Sequence, residues 1–100
     1  FLDRIFTPDE FGYCRGRAPN LAGRLAAKEA TMKALGTGVR GVSWKYIEVV
    51  RAESVAPSVK LHGRAQKRAE RLQVSEISLS ISHSREYAVA FVVAQRDETP

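Results

Sequence analysis

Glu29 and Lys33 stand one helical turn apart in the stretch Leu21-Ala22-Gly23-Arg24-Leu25-Ala26-Ala27-Lys28-Glu29-Ala30-Thr31-Met32-Lys33-Ala34-Leu35. A carboxylate one turn ahead of an ammonium allows two chemistries. The two groups can bond across the turn, which stabilises a helix by roughly 0.2–0.5 kcal/mol. Alternatively, Glu29 ligates a hard cation while Lys33 neutralises a phosphate or acts as a base. Magnesium suits the second case, because it takes one or two carboxylates together with substrate phosphates. Lys28 is harder to place. At about 100° per residue it falls inside the stripe of Leu21, Leu25, Met32 and Leu35, where a charge is costly unless it reaches water or meets an anion. Arg24 lies toward the start of the same helix, and the glycine-rich run Gly36-Thr37-Gly38-Val39-Arg40-Gly41 follows its end. Such loops let backbone N–H groups approach phosphate oxygens. The Lys-Ser/Thr ending of a Walker sequence is absent, so the loop alone is weak evidence.

The elements that must hold these groups are readable. Thr7-Pro8-Asp9-Glu10 has the form of a helix start, with Thr7 at the N-cap and Glu10 closing a capping box. That short helix is expected to run to about Cys14, before Arg15-Gly16-Arg17-Ala18-Pro19 breaks it. Asn20 is expected to cap a second helix over 21–35, built from Ala and Leu and stopped by Gly36. Residues 43–51 read as a strand, with Ile47 and Val49 on one face and Trp44, Tyr46 and Val50 on the other. A turn at Pro57 leads to a short strand carrying Val59 and Leu61. A basic helix follows over 64–73, with Ala65, Ala69 and Leu72 inward. Ile77, Leu79 and Ile81 alternate with Ser78, Ser80 and Ser82, the pattern of a half-buried strand. His83-Ser84-Arg85-Glu86 turns the chain into a last strand, Tyr87 to Ala94. This strand is apolar on both faces, so it is either central between its own helices or part of a subunit interface.

One hundred residues allow one small domain. Sixteen Lys and Arg against eleven Asp and Glu give a net charge of +5, which points to an anionic partner. The excess is concentrated in residues 21–73, where eleven basic and four acidic side chains net +7. The single cysteine, Cys14, excludes an internal disulfide and a multi-cysteine zinc site, and fits a reducing cytoplasm. No apolar run is long enough to span a bilayer.

The helix from Leu21 through Gly38 resembles the signature of the holo-acyl-carrier-protein synthase family within the 4′-phosphopantetheinyl transferases. Val42-Ser43-Trp44-Lys45-Tyr46-Ile47-Glu48-Val49 and Ser80-Ile81-Ser82-His83-Ser84-Arg85-Glu86-Tyr87-Ala88 resemble the same family in the same order, and Phe1-Leu2-Asp3-Arg4-Ile5-Phe6-Thr7 is similar to the end of its first helix. The resemblance implies an α+β fold with helices packed on a small, mostly antiparallel sheet. It also implies transfer of the 4′-phosphopantetheine arm of coenzyme A to a serine of apo-acyl carrier protein, releasing adenosine 3′,5′-bisphosphate. On this resemblance Glu29 is a magnesium ligand and a catalytic residue, and Lys33 is a catalytic or phosphate-contacting lysine. Arg24, Lys28, Gly36, Thr37, Ser82, His83 and Ser84 would bind coenzyme A. Phe1 and Arg4 would meet the acidic carrier protein, and the enzyme would be a homotrimer.

One departure stands out. The family's second magnesium carboxylate is an Asp in a first strand, upstream of the segment resembling Phe1, and Asp3 does not match it. The chain is therefore expected to lack the family's first strand and part of its first helix, and to bind magnesium and turn over poorly. Two histidines carry plainer alternatives: His83 as a surface residue on a turn, and His62 as a structural residue without a partner. A rival function is a small nucleic-acid-binding module, suggested by the basic middle and by Gly38-Val39-Arg40-Gly41, a Gly-x-x-Gly loop as in KH domains.

Overall fold

The computed structural model describes residues 2–14, 18–37, 43–51, 56–84 and 86–96. Three helices come first: α1 (Leu2–Ile5), α2 (Pro8–Cys14) and α3 (Ala18–Leu35). A 3-10 turn at Trp44–Tyr46 leads into β1 (Ile47–Val50) and then β2 (Ser58–Leu61). α4 (Gly63–Arg71), β3 (Val74–His83) and β4 (Ala88–Arg96) complete the order. β1 pairs with β2 and β3 with β4, both antiparallel, so the fold is α+β as expected. No described helix is long and apolar enough to cross a membrane.

α3 is the spine. It packs against β3 and β4, and also against β1 and α4. Met32 and Leu35 on α3 join Ile47 on β1 and Ala65 and Ala69 on α4 in one core cluster. Ile5, Phe6 and Leu21 form a second, and Trp44 packs against both. That joining role explains a correction. Trp44 and Tyr46 lie in the 3-10 turn, closed by Tyr46 N–H on the Ser43 carbonyl at 3.0 Å, and not in the strand predicted to start at residue 43. The turn lets the indole reach the junction of two clusters, which a side chain standing off a strand surface would miss.

Local signals at the helix ends hold with one shift. Thr7 Oγ1 accepts from Glu10 N–H at 3.1 Å and Glu10 Oε1 accepts from Thr7 N–H at 2.8 Å, a complete capping box. α3 begins at Ala18, not after Asn20. Pro19 is preorganised for a first helical turn, so it starts this helix where a break was expected. At the other end Gly36 has φ +70°, and the amides of Gly36 and Thr37 bond the carbonyls of Lys33 and Met32 at 3.1 and 3.2 Å. This is a Schellman closure, and only a glycine adopts that φ without strain.

The β3–β4 hairpin separates its faces cleanly. Ile77, Leu79 and Ile81 are half-buried, and across from them Ala94, Val92 and Ala90 complete the inner face. The outer face pairs Ser78, Ser80 and Ser82 with Val93, Phe91 and Val89. Phe91 is 72% exposed and Tyr87 73%. Among the described residues β4 pairs with β3 alone, so it is not a central strand between its own helices.

Candidate active site

The interior of α3 is organised by Lys28, whose side chain is wholly buried. Its ammonium bonds Glu10 Oε1 at 2.8 Å, the Trp44 carbonyl at 3.0 Å and the Ile47 carbonyl, which uses all three donors. The ring of Phe6 lies 5.7 Å from Nζ. Burial lowers the pKa of Lys28, with the hydrogen bond and charge of Glu10 opposing that shift. The anion that this position requires is therefore Glu10, within the same chain. Lys28 has no exposed surface to offer coenzyme A, which corrects its assignment as a ligand-contacting residue.

One residue further on, Glu29 is exposed, and so is Lys33 one turn later. Among the described residues the ion pairs are Lys28–Glu10 and His62–Glu48, so the i,i+4 bond between Glu29 and Lys33 is not made. Both groups stand toward solvent on α3, available to a ligand. A hard cation fits Glu29 as one carboxylate with phosphates completing its shell. The described residues contain no group of three or more acidic, His or Cys side chains that could hold a metal by themselves.

Arg24 is 7% exposed and its Nη1 donates to the Asn20 carbonyl at 3.4 Å. It also lines a cleft of about 360 Å³ with Asp9, Glu10, Glu48, Arg51 and Lys60, a cleft that Glu29 and Lys33 do not line. The amides of Gly36 and Thr37 close α3 and are not free to cradle a phosphate. Ser82 is exposed on β3, and Ser84 Oγ accepts from the amides of Glu86 and Tyr87 at 3.3 and 3.2 Å, shaping the hairpin turn. α3 packs on the hairpin that carries this turn. Arg4 is exposed on α1. Phe1, the His83 side chain and Gly38–Gly41 lie outside the described residues.

Three residues emerge that the sequence reading did not single out for this region. Glu10 joins the capping box to Lys28 and to Val49 N–H, which donates to Oε2 at 2.8 Å. Glu48 on β1 accepts from Thr7 Oγ1 at 2.9 Å and contacts His62 Nε2 at 3.0 Å, so His62 does have a partner. Arg68 on α4 donates to the Leu35 carbonyl at 2.9 Å. The capping box signalled Glu10 locally, but its long-range bonds leave no trace in spacing.

Comparison with known proteins places this arrangement. Residues 1–92 match the family model of the 4′-phosphopantetheinyl transferase superfamily. The holo-[acyl-carrier-protein] synthase of Dehalococcoides mccartyi is 50% identical over 95 residues, covering 95% of this chain and 79% of that protein. The enzyme of the same name from Gloeobacter violaceus is 52% identical over 96 residues, covering 92% of this chain and 73% of that one. The crystal structure of Helicobacter pylori holo-[acyl-carrier-protein] synthase in complex with coenzyme A superposes with a TM-score of 0.83 at 31% identity, covering 95% of this chain and 81% of that one. These matches give the rival nucleic-acid-binding reading no support. By sequence over nearly its whole length, and by fold, the chain belongs to the 4′-phosphopantetheinyl transferase superfamily.

Proposed function

We propose that this chain transfers the 4′-phosphopantetheine arm of coenzyme A to a serine of an acyl carrier protein and releases adenosine 3′,5′-bisphosphate. The observation that carries this reading is the exposed pair Glu29 and Lys33, one turn apart on α3 and not bonded to each other, in a chain of this family. Breaking a pyrophosphate builds negative charge on the phosphate oxygens, and Lys33 supplies a fixed positive charge against it. Glu29 is the residue that would hold magnesium, which when bound neutralises phosphate charge as a Lewis acid. Arg24, Gly36, Thr37, Ser82, His83 and Ser84 are assigned to the adenosine bisphosphate end of coenzyme A, Gly36 and Thr37 through atoms other than their amides. The nucleophilic serine belongs to the carrier protein.

The net positive charge suits an acidic carrier, with the Phe1–Arg4 end as its contact. Charges at such a rim mainly raise the association rate and lose effect with salt. We assign the outer face of the β3–β4 hairpin to a homotrimer, since Phe91, Val93 and Val89 expose more apolar surface there than a lone subunit needs.

The test is to incubate the protein with coenzyme A, magnesium and apo-acyl carrier protein and weigh the carrier. A gain of one phosphopantetheine, lost in Glu29→Ala without a change in melting temperature, is the expected result. A carrier left unmodified by excess unaltered protein on prolonged incubation, long enough to register slow turnover, would overturn the reading.

A further inference from the structure

We infer that the buried Lys28–Glu10 pair is a positioning device, which fixes the roll of α3 so that Glu29 and Lys33 are presented together. The inference rests on the transferase reading above. Lys28 immediately precedes Glu29 in the chain, so whatever holds the Lys28 side chain sets the direction in which Glu29 leaves the helix. The hold comes from three separate elements. Glu10 Oε1 accepts from Lys28 Nζ at 2.8 Å and from Thr7 N–H at 2.8 Å, while Oε2 accepts from Val49 N–H at 2.8 Å. Lys28 in turn donates to carbonyls of the 3-10 turn and of β1. A single carboxylate thus ties the start of α2, the middle of α3 and the middle of β1.

Apolar packing alone would leave this setting loose. The hydrophobic effect is non-directional, and hydrogen bonds weaken steeply once their angles open. α3 also carries Ala22, Ala26, Ala27 and Ala30, small residues that offer little steric resistance to rolling. Misplacing catalytic groups by about 1 Å costs on the order of 100-fold in rate. Stability does not explain the pair, since a buried ion pair is commonly matched or bettered by apolar residues of similar volume. Its advantage lies in direction.

The test compares Lys28→Met, Glu10→Gln and the double variant Glu10→Leu/Lys28→Met in the full protein. Four quantities are measured: melting temperature, the kcat and the coenzyme A KM of carrier modification, and manganese affinity by electron paramagnetic resonance. Lys28→Met should melt well below the parent, because it leaves the Glu10 charge buried without its cation. The double variant should recover part of that loss, because it removes the buried charge but leaves Thr7 N–H and Val49 N–H without their acceptor. Its kcat should nevertheless stay down by about tenfold or more, with weaker manganese binding and a smaller change in coenzyme A KM. A double variant with parental kcat and manganese affinity would overturn the inference, because the pair would then be merely structural. If the double variant does not fold, Glu10→Gln decides. It keeps the side-chain shape but must turn its NH2 toward either Lys28 and Thr7 N–H or Val49 N–H, none of which it can accept from. A lowered kcat and weaker manganese binding are therefore expected, and parental values of both would overturn the inference. An unaltered protein that modifies no carrier would sink the transferase reading itself, so the two failures are distinguishable.

Discussion

Arg68 Nε donates to the Leu35 carbonyl at 2.9 Å, so the last turn of α3 is closed from outside by α4. The final carbonyls of a helix have no partners within it, and they form the negative end of its dipole. The Schellman closure satisfies Met32 and Lys33, and Arg68 satisfies Leu35 with a cation. The position of Gly36 and Thr37, beside the turn that bears Lys33, is therefore set partly by a residue thirty-three positions beyond Leu35.

Replacing Arg68 with Met keeps the aliphatic stem but removes that donor. Stability should fall by about 1.5–3 kcal/mol, the range for a hydrogen bond involving a charged group. A urea melt of the two proteins checks this, and the coenzyme A KM of the variant should rise as the end of α3 loosens.

Gly36→Ala should also destabilise, for a different reason. A side chain at φ +70° costs about 1–2 kcal/mol, and a Cβ here would lie 3.3 Å from Arg68 Nη2. Gly36→Asn should cost less than Gly36→Ala, because asparagine tolerates the left-handed region better. The order of the two denaturation midpoints is the measurement.

Glu48 gives a prediction in acid. Burial on its own raises the pKa of this carboxyl, but the hydrogen bonds from His62 and Thr7, together with the charges of His62 and Lys60, outweigh it and the net shift is downward. A carboxyl lowered on folding adds stability above its unfolded pKa and loses it as pH falls through the folded value. The protein should therefore weaken as pH drops below the ordinary carboxylate range. Glu48→Gln should flatten that acid limb, read from denaturant midpoints across a pH series.

Phe91→Glu bears on assembly. Phe91 is 72% exposed, so a charge there leaves the inner face of the hairpin undisturbed. In sedimentation the unaltered protein should run as a trimer and the variant as a single chain, with the same circular dichroism spectrum. A parent that sediments as one chain would count against the trimer.

The fold was legible wherever the information was local or periodic. Thr7 and Glu10 mark α2, Gly36 ends α3, and the Ser/Ile alternation of 77–82 marks β3, because caps and pleats act within a few residues. Trp44 was misplaced because its position is decided by two clusters that meet only in three dimensions. The site divides the same way. The spacing of Glu29 and Lys33 is visible in one turn of helix, and so is the anomaly of a lysine in an apolar stripe. Which anion answers Lys28 was not visible, since Glu10 lies in another helix. The partner of His62 is hidden from the sequence for the same reason, with Glu48 reaching it only through the pairing of β1 with β2.

The hairpin's two strands also differ in what each knows about its own orientation. β4 is apolar on both sides, so sliding it by one residue would exchange one apolar row for another and bury no polar side chain. β3 differs, because a slip of β3 itself would turn Ser78, Ser80 and Ser82 inward against α3. The serines thus serve as an alignment key for their own strand, while β4 has only the small size of Ala90 and Ala94 against the bulk of Phe91 to tell its rows apart. Exchanging the serines for valines would leave the sheet just as able to form, and no longer certain which way to face.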